Sequence, residues 1–175
     1  MNQQTSKFRI YLLLNILFIF VFSEFTLAKP LENLKKVGEA KLKVLFWDIY
    51  IASLYSKTGK YEEDQYPQVL KINYFREIDS EELIQRTQKE WEKLGIKQEK
   101  FNQWVVLLKN IFPDIKKGDS LLLKVGKNRE SEFFFNGKTI GKVNNKTFGK
   151  NFLRIWLDKN CSYPKLRNKL LRSNK

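Results

Sequence analysis

The sequence predicts an α+β domain in which helices cover one side of an antiparallel β-sheet. Segments rich in aromatic and β-branched residues recur at the length of strands. Between two of these segments stands Asn136-Gly137, a strong signal for a type I′ β-hairpin. Segments with apolar residues at every third or fourth position alternate with the strands or follow them, as amphipathic helices do.

Strands are predicted in both halves of the chain. Residues 38–55 are rich in aromatic and β-branched residues, and they predict either one long bent strand or two joined strands. A second stretch of this kind, 68–75, predicts another strand. The remaining strands are predicted at 121–125, 132–135 and 139–143.

The helices are predicted from apolar periodicity and from residues typical of helix ends. The first begins after Asp79, which is predicted to form a capping box with Glu82, and it stops at Gly95. The other helices are predicted at 98–112, at 147–158 and, as a short helix, from Pro164 onward.

The N-terminal segment predicts export. Lys7 and Arg9 precede an apolar run over residues 10–22, and small residues then precede a cleavage-type position after Ala28. The competing interpretation is a membrane anchor. The apolar run is interrupted at Asn15 and is shorter than the roughly 20 residues that span a bilayer. We therefore expect a cleavable signal peptide over 1–28 and a periplasmic or secreted product.

Residues 29–175 have the length of one domain, and no linker or repeat divides them. The chain has a single cysteine, Cys161, which excludes an intramolecular disulfide. Stability must therefore come from apolar burial, to which 14 Phe and 4 Trp contribute. Cys161 is expected to be a buried or idle thiol, with an intermolecular disulfide as the alternative.

The formal charge of +14 suggests an anionic partner, but basic residues are scattered along most of the chain. The C-terminal tail is the exception, because it is basic and has no acid: Lys165, Arg167, Lys169, Arg172 and Lys175. One interpretation is a solvated helix face behind buried leucines. The other is contact with an anionic membrane surface. Export would separate the protein from nucleic acid, so no nucleic-acid partner is expected.

Residue types that support catalysis are scarce. The chain has no histidine, which removes the commonest general base, the usual catalytic triads and most zinc-site chemistry. Gly137 and Gly141 flank a predicted strand and do not form a phosphate-binding loop that opens a helix. We therefore expect no catalytic residues, no metal site and no cofactor.

Five segments, in order, resemble the chalcone isomerase-like family in its bacterial exported form. They are GEAK at 38–41, FWDIYIASLY at 46–55, YFREI at 74–78, FNG at 135–137 with IG at 140–141, and FL at 152–153 with IWL at 155–157. Together they cover nearly all of residues 29–175. The resemblance implies the open-faced sandwich of that family, an antiparallel sheet with helices on one side.

The resemblance also implies candidate ligand contacts. Non-catalytic members of this family bind fatty acids through an arginine and a tyrosine on the first long strands. Tyr50 falls on the tyrosine position, and Lys41 best matches the arginine position, without the planar fork that binds a carboxylate through two bonds. Ile155 stands where the plant enzymes have a threonine. Authentic chalcone isomerase activity is therefore not expected.

Strand geometry complicates this pair of contacts. Lys41 and Tyr50 differ by an odd number of positions, so an unbroken strand would direct them to opposite faces. A bend, bulge or hairpin near Leu45-Phe46 is needed to bring them together. Otherwise Lys41 is a surface lysine and Tyr50 a core aromatic. Arg76 is a third candidate for anion binding, with adjacent acids as alternative salt-bridge partners: Glu77 and Asp79.

The sequence thus favours an exported, non-catalytic protein that binds a small apolar ligand, such as a fatty acid, between sheet and helices. One alternative is an envelope interaction or structural protein whose pocket is filled by Phe and Trp. Another is an isomerase of unknown substrate in which Tyr50 and Lys41 perform acid/base chemistry.

Overall fold

The computed structural model describes residues 30–172. The predicted signal peptide, 1–28, and Lys175 lie outside the described residues. One antiparallel sheet of six strands runs in the order of the sequence, so each strand pairs with its neighbours along the chain. The strands are β1 (Lys35–Val44), β2 (Trp47–Ser56), β3 (Gln68–Tyr74), β4 (Ser120–Val125), β5 (Ser131–Phe135) and β6 (Lys138–Val143).

The helices pack against one face of this sheet. They are α1 (Ser80–Lys93), α2 (Gln98–Lys109), α3 (Phe148–Leu157) and α4 (Pro164–Leu171). Buried residues of all four belong to one apolar cluster with the inner residues of the strands. A small second cluster on the other face consists of strand residues and the segment before β1. The predicted α+β class, with helices on one side of the sheet, is confirmed.

The first predicted strand region forms two strands joined at Leu45-Phe46. Leu45 adopts the left-handed conformation, with φ of 54°, and Val44 pairs with Trp47 across the turn. The register then shifts beyond Lys43, so that Leu42 pairs with Tyr50. This shift is a β-bulge, and the extra residue is Ile49.

The turn between β5 and β6 has the predicted chemistry. Asn136 and Gly137 have φ of 48° and 82°, and a type I′ turn requires positive φ at both central positions. The Asn136 side chain also accepts a hydrogen bond of 2.8 Å from the Ser120 backbone N–H. This bond ties the hairpin turn to the start of β4.

The predicted capping box at the start of α1 is wrong. Asp79 occupies the N-cap position, but its side chain makes no capping hydrogen bond. Instead, Asp114 Oδ1 accepts a hydrogen bond of 2.9 Å from the Ser80 backbone N–H. A backbone bridge between Ile78 and Ile115 brings Asp114 to this helix end. The cap is therefore supplied by a residue distant in the sequence.

Aromatic side chains form the centre of the core. Trp91 is fully buried and contacts four rings, with centroid distances from 5.2 to 6.2 Å: Phe101, Trp104, Phe148 and Phe152. Its indole N–H donates a hydrogen bond of 3.1 Å to the Asn151 carbonyl oxygen. These contacts bind α1, α2 and α3 into one layer.

The Cys161 thiol is free and buried, as expected, and burial raises its pKa.

Within residues 30–172, none of the helices has both the length and the apolar character needed to span a bilayer. In the same range, no cluster of three or more His, Cys, Asp or Glu side chains could hold a metal ion.

Candidate functional site

A cavity of about 450 Å³ lies between the sheet and helices α1 and α3. This volume is within the range of small-molecule sites. The sheet side of the cavity is apolar and is formed by Leu42, Leu70, Ile72, Leu121, Leu123 and Phe133. The helix side is formed by Leu83, Thr87, Phe152, Ile155 and Trp156. Most of the wall therefore suits an apolar ligand.

Two tyrosines face each other in the wall of this cavity. Tyr50 on β2 and Tyr74 on β3 are direct partners in the strand register. Their rings meet edge to face, with centroids 6.0 Å apart. Partners in an antiparallel pair point to the same face of the sheet, which here is the face that carries the helices.

The hydroxyl groups of these tyrosines have different partners. The Tyr50 oxygen accepts a hydrogen bond of 2.9 Å from the Trp156 indole N–H. The Tyr50 hydroxyl proton itself has no acceptor among residues 30–172, and the Tyr74 hydroxyl makes no hydrogen bond with that part of the chain. The cavity therefore presents two hydroxyl groups able to donate to a ligand oxygen.

Both hydroxyls stay protonated at neutral pH. Burial raises the pKa of Tyr50 above its ordinary value, although the hydrogen bond from Trp156 opposes the increase. Burial likewise raises the pKa of Tyr74, and the neighbouring Tyr50 adds to this effect. The pair is thus suited to donating hydrogen bonds and not to removing a proton from a substrate.

The cavity opens between charged side chains. Exposed residues at the opening include both signs: Arg76, Glu77, Glu82, Arg86 and Lys89. Arg86 is paired with Glu82 through a contact of 2.8 Å. The negative charge of Glu82 is therefore already balanced by Arg86 in the absence of a ligand.

Arg76 lines the opening, but neither Glu77 nor Asp79 forms an ion pair with it in the described chain. Instead, its guanidinium lies 5.0 Å from the centroid of the Trp47 ring. A stacked guanidinium keeps its N–H donors available at the edge of the group. Arg76 is thus placed where an anionic ligand group at the opening would contact it.

The structure does not bring Lys41 to Tyr50. Tyr50 is paired with Leu42 on the inner face, so Lys41 points to the open face of the sheet. There Lys41 Nζ lies 2.7 Å from Asp48 Oδ2, and Lys41 does not line the cavity. The acid/base pair of Tyr50 and Lys41 that the isomerase alternative requires is therefore not assembled.

The bulge is responsible for this separation. The turn pairs Val44 with Trp47, and Lys43 pairs with Asp48. Continued without interruption, that register would place Lys41 opposite Tyr50 on one face. The extra residue, Ile49, shifts the pairing by one position and directs the two side chains to opposite faces.

Two residues of the site have no predicted functional role in the sequence. The pattern predicts only a strand at Tyr74 and a packing helix at Trp156. Period-two alternation of Leu70, Ile72 and Tyr74 places all three on one face of β3, and this signal points Tyr74 at the helices. The bond between Trp156 and Tyr50 joins α3 to β2 and has no local signal in the sequence.

The fold is an antiparallel sheet covered by helices on one side, with an apolar cavity between the two layers. Residues 31–172 match the family model described as chalcone isomerase-like. The chain belongs to the chalcone isomerase-like family, as the sequence resemblance predicted.

Two known proteins are similar to this chain, one in sequence and one in structure. A Haemophilus influenzae protein described as uncharacterized is 26% identical over 159 residues, which span 91% of this chain and 78% of that protein. The crystal structure of an Arabidopsis thaliana fatty-acid binding protein aligns with a TM-score of 0.60 at 12% identity. That alignment covers 80% of this chain and 87% of the Arabidopsis chain. The structural likeness confirms the fold.

Proposed function

We propose that this protein is an exported, non-catalytic binding protein that holds a small apolar ligand, such as a fatty acid, in the cavity between sheet and helices. The observation that carries the proposal is the apolar cavity of about 450 Å³ with two tyrosine hydroxyls in its wall. The fatty-acid binding of the Arabidopsis structural neighbour supports the choice of ligand.

The wall chemistry favours a ligand with one polar end. The apolar side chains exclude water from an acyl chain. The polar end has two candidate positions, beside the hydroxyls of Tyr50 and Tyr74 or at the opening beside Arg76. A carboxylate would gain a charge-assisted hydrogen bond from Arg76, whereas a neutral acyl group would gain only the tyrosine donors.

Lipid extraction and mass spectrometry of protein purified from its native compartment test the proposal directly. We expect one acyl ligand per protein molecule. Titration of the purified protein with dansyl-labelled undecanoic acid provides the second measurement. Ile155→Trp should fill part of the cavity and weaken binding of the probe by at least about tenfold, because a larger side chain occupies ligand space.

Val106→Trp is the matched control, because Val106 is 62% exposed on α2 and does not line the cavity. This variant should bind the probe like the wild type. Circular dichroism of both variants checks that they fold. Absence of any acyl ligand, together with equal probe binding by Ile155→Trp and the wild type, would exclude the proposed site.

Export is the second part of the proposal and rests on residues 1–28 of the sequence. Cell fractionation should find the protein outside the cytoplasm, and N-terminal sequencing of the mature protein should begin at Lys29. A cytoplasmic protein that retains Met1 would contradict it.

A further inference from the structure

The tip of the β1–β2 hairpin is a run of four exposed apolar residues. Here the hairpin tip means residues 44–47, that is Val44, Leu45, Phe46 and Trp47, which are 42%, 86%, 97% and 62% exposed. Phe46 and Leu45 are the most exposed large apolar side chains among residues 30–172. Clustered apolar exposure of this kind marks an interaction site.

We infer that the hairpin tip docks this protein on an anionic lipid bilayer, with the cavity opening directed at the membrane. The inference goes beyond the proposed function, because it depends on the exposed tip and not on what the cavity holds. Ligand binding and membrane docking can therefore be tested separately.

The size and shape of the tip favour a bilayer over a protein partner. A stable protein interface takes about 20–30 residues from each side and a complementary surface. The hairpin tip offers four residues at the end of a two-stranded projection. Side chains of this kind can enter the interfacial region of a bilayer without a preformed partner surface.

The order of residues away from the tip matches the layers of a bilayer surface. Leu45 and Phe46 lie at the turn, and Trp47 follows them, as aromatic rings do at the boundary between hydrocarbon and headgroups. Lys43 and Lys41 come next along β1 and share one carboxylate, that of Asp48. This base of the hairpin therefore retains positive charge for anionic headgroups.

The hairpin tip is also part of the cavity opening. Val44, Leu45 and Trp47 line the cavity, and Arg76 stacks on Trp47 at the same place. Insertion of the tip would thus place the opening against lipid. An apolar ligand could then pass between bilayer and cavity with little exposure to water.

The basic tail is a separate surface. Helix α4 packs on β1 at Gly38, seven positions before Leu45, or about 20 Å along the strand. The hairpin tip and the tail would therefore present different ends of β1 to a membrane. Variants at each end distinguish the two modes of attachment.

Flotation with vesicles of phosphatidylcholine and phosphatidylglycerol tests the inference on the full mature protein. Leu45→Ser with Phe46→Ser should lower the partition coefficient at least about tenfold, since burying each large apolar side chain is worth more than a factor of ten. The matched control is Val106→Ser with Leu107→Ser, two apolar residues that are 62% and 39% exposed on α2. The control should float like the wild type.

Fluorescence of Trp47 supplies an independent readout of insertion. Trp91 and Trp104 are buried and Trp156 is half-buried in the cavity wall, whereas Trp47 is 62% exposed. Brominated phosphatidylcholine mixed with phosphatidylglycerol should quench the wild type, and Trp47→Phe should remove most of that quenching. This result requires the tip itself to enter the lipid.

The remaining outcomes overturn the inference. They are no flotation of the wild type, equal loss in the control, or loss only after Lys165→Ser with Lys169→Ser, which would assign attachment to the tail. If the wild type floats through its tip but binds no dansyl-labelled acyl probe, the docking surface is supported and the proposed ligand site is excluded. The two failures are therefore distinguishable.

Discussion

The Trp156 indole N–H donates a hydrogen bond of 2.9 Å to the Tyr50 hydroxyl oxygen, and this bond joins helix α3 to strand β2 beside the cavity. A helix that moved away from the sheet would break it. The bond therefore fixes the width of the cavity at this point, and it leaves the Tyr50 proton available to a ligand.

Tyr50→Phe should lower the free energy of unfolding by about 1 kcal/mol, because the Trp156 N–H loses its acceptor. Urea unfolding followed by circular dichroism measures the effect. Tyr55→Phe is the control, since Tyr55 lies half-buried against the second cluster on the other face of the sheet. An equal loss in both variants would show that the bond does not stabilise the fold.

Tyr74→Phe should behave differently, because the Tyr74 hydroxyl in the cavity wall has no hydrogen-bond partner among residues 30–172. Its removal breaks no hydrogen bond within the described chain, so ligand-free stability should change by less than about 0.5 kcal/mol. Binding of the dansyl-labelled acyl probe should weaken if this hydroxyl donates to the ligand. Urea unfolding and probe titration separate the two effects, and a marked loss of stability would contradict the assignment.

Gly38→Ala should destabilise the protein strongly. A Cβ atom at this position would lie 2.3 Å from the Leu170 carbonyl oxygen of α4, a backbone atom that cannot rotate away. At Gly141 the obstacle is the side chain of Ile111, with Cγ1 at 2.6 Å, and a side chain has more freedom to shift than the backbone of a packed helix. Thermal unfolding should show that Gly38→Ala costs at least about 1 kcal/mol more than Gly141→Ala. Equal costs would mean that α4 shifts freely on β1.

Asp158 should contribute pH-dependent stability. Burial of its carboxyl opposes ionisation, but the backbone N–H of Asn160 and the guanidinium of Arg154 outweigh burial and hold its pKa below the ordinary value. A lowered native pKa means that the stabilisation is present above the unfolded pKa of about 3.9 and is lost as pH falls through the native value. The stability advantage of the wild type over Asp158→Asn should therefore shrink between pH 6 and pH 3, by urea unfolding. An advantage independent of pH would contradict this account.

Most of the fold follows from local signals in the sequence. Alternation of apolar residues, the Asn136-Gly137 turn and Pro164 at a helix start act within a few residues, and the strands and helices lie where these signals predict them. The cap of α1 depends on Asp114, a residue far along the chain. A contact between residues so far apart in the sequence cannot be predicted from local pattern.

The candidate site could be predicted only in part. Tyr50 and Arg76 both line the cavity. The face of Lys41, by contrast, depends on the position of a single extra residue, Ile49, in the register between β1 and β2. Neither composition nor periodicity marks a bulge there, since Ile49 is an ordinary strand residue.

The packing of α4 on Gly38 has a consequence for the order in which the domain is completed. The first strand of the described chain receives its inner cover from the last helix, so the edge of the sheet remains uncovered until the C-terminal segment has been synthesised. A nascent chain can pair its strands earlier, but it cannot finish its core. Such a chain therefore stays incompletely folded until helix α4 is available to cover the inner face of β1.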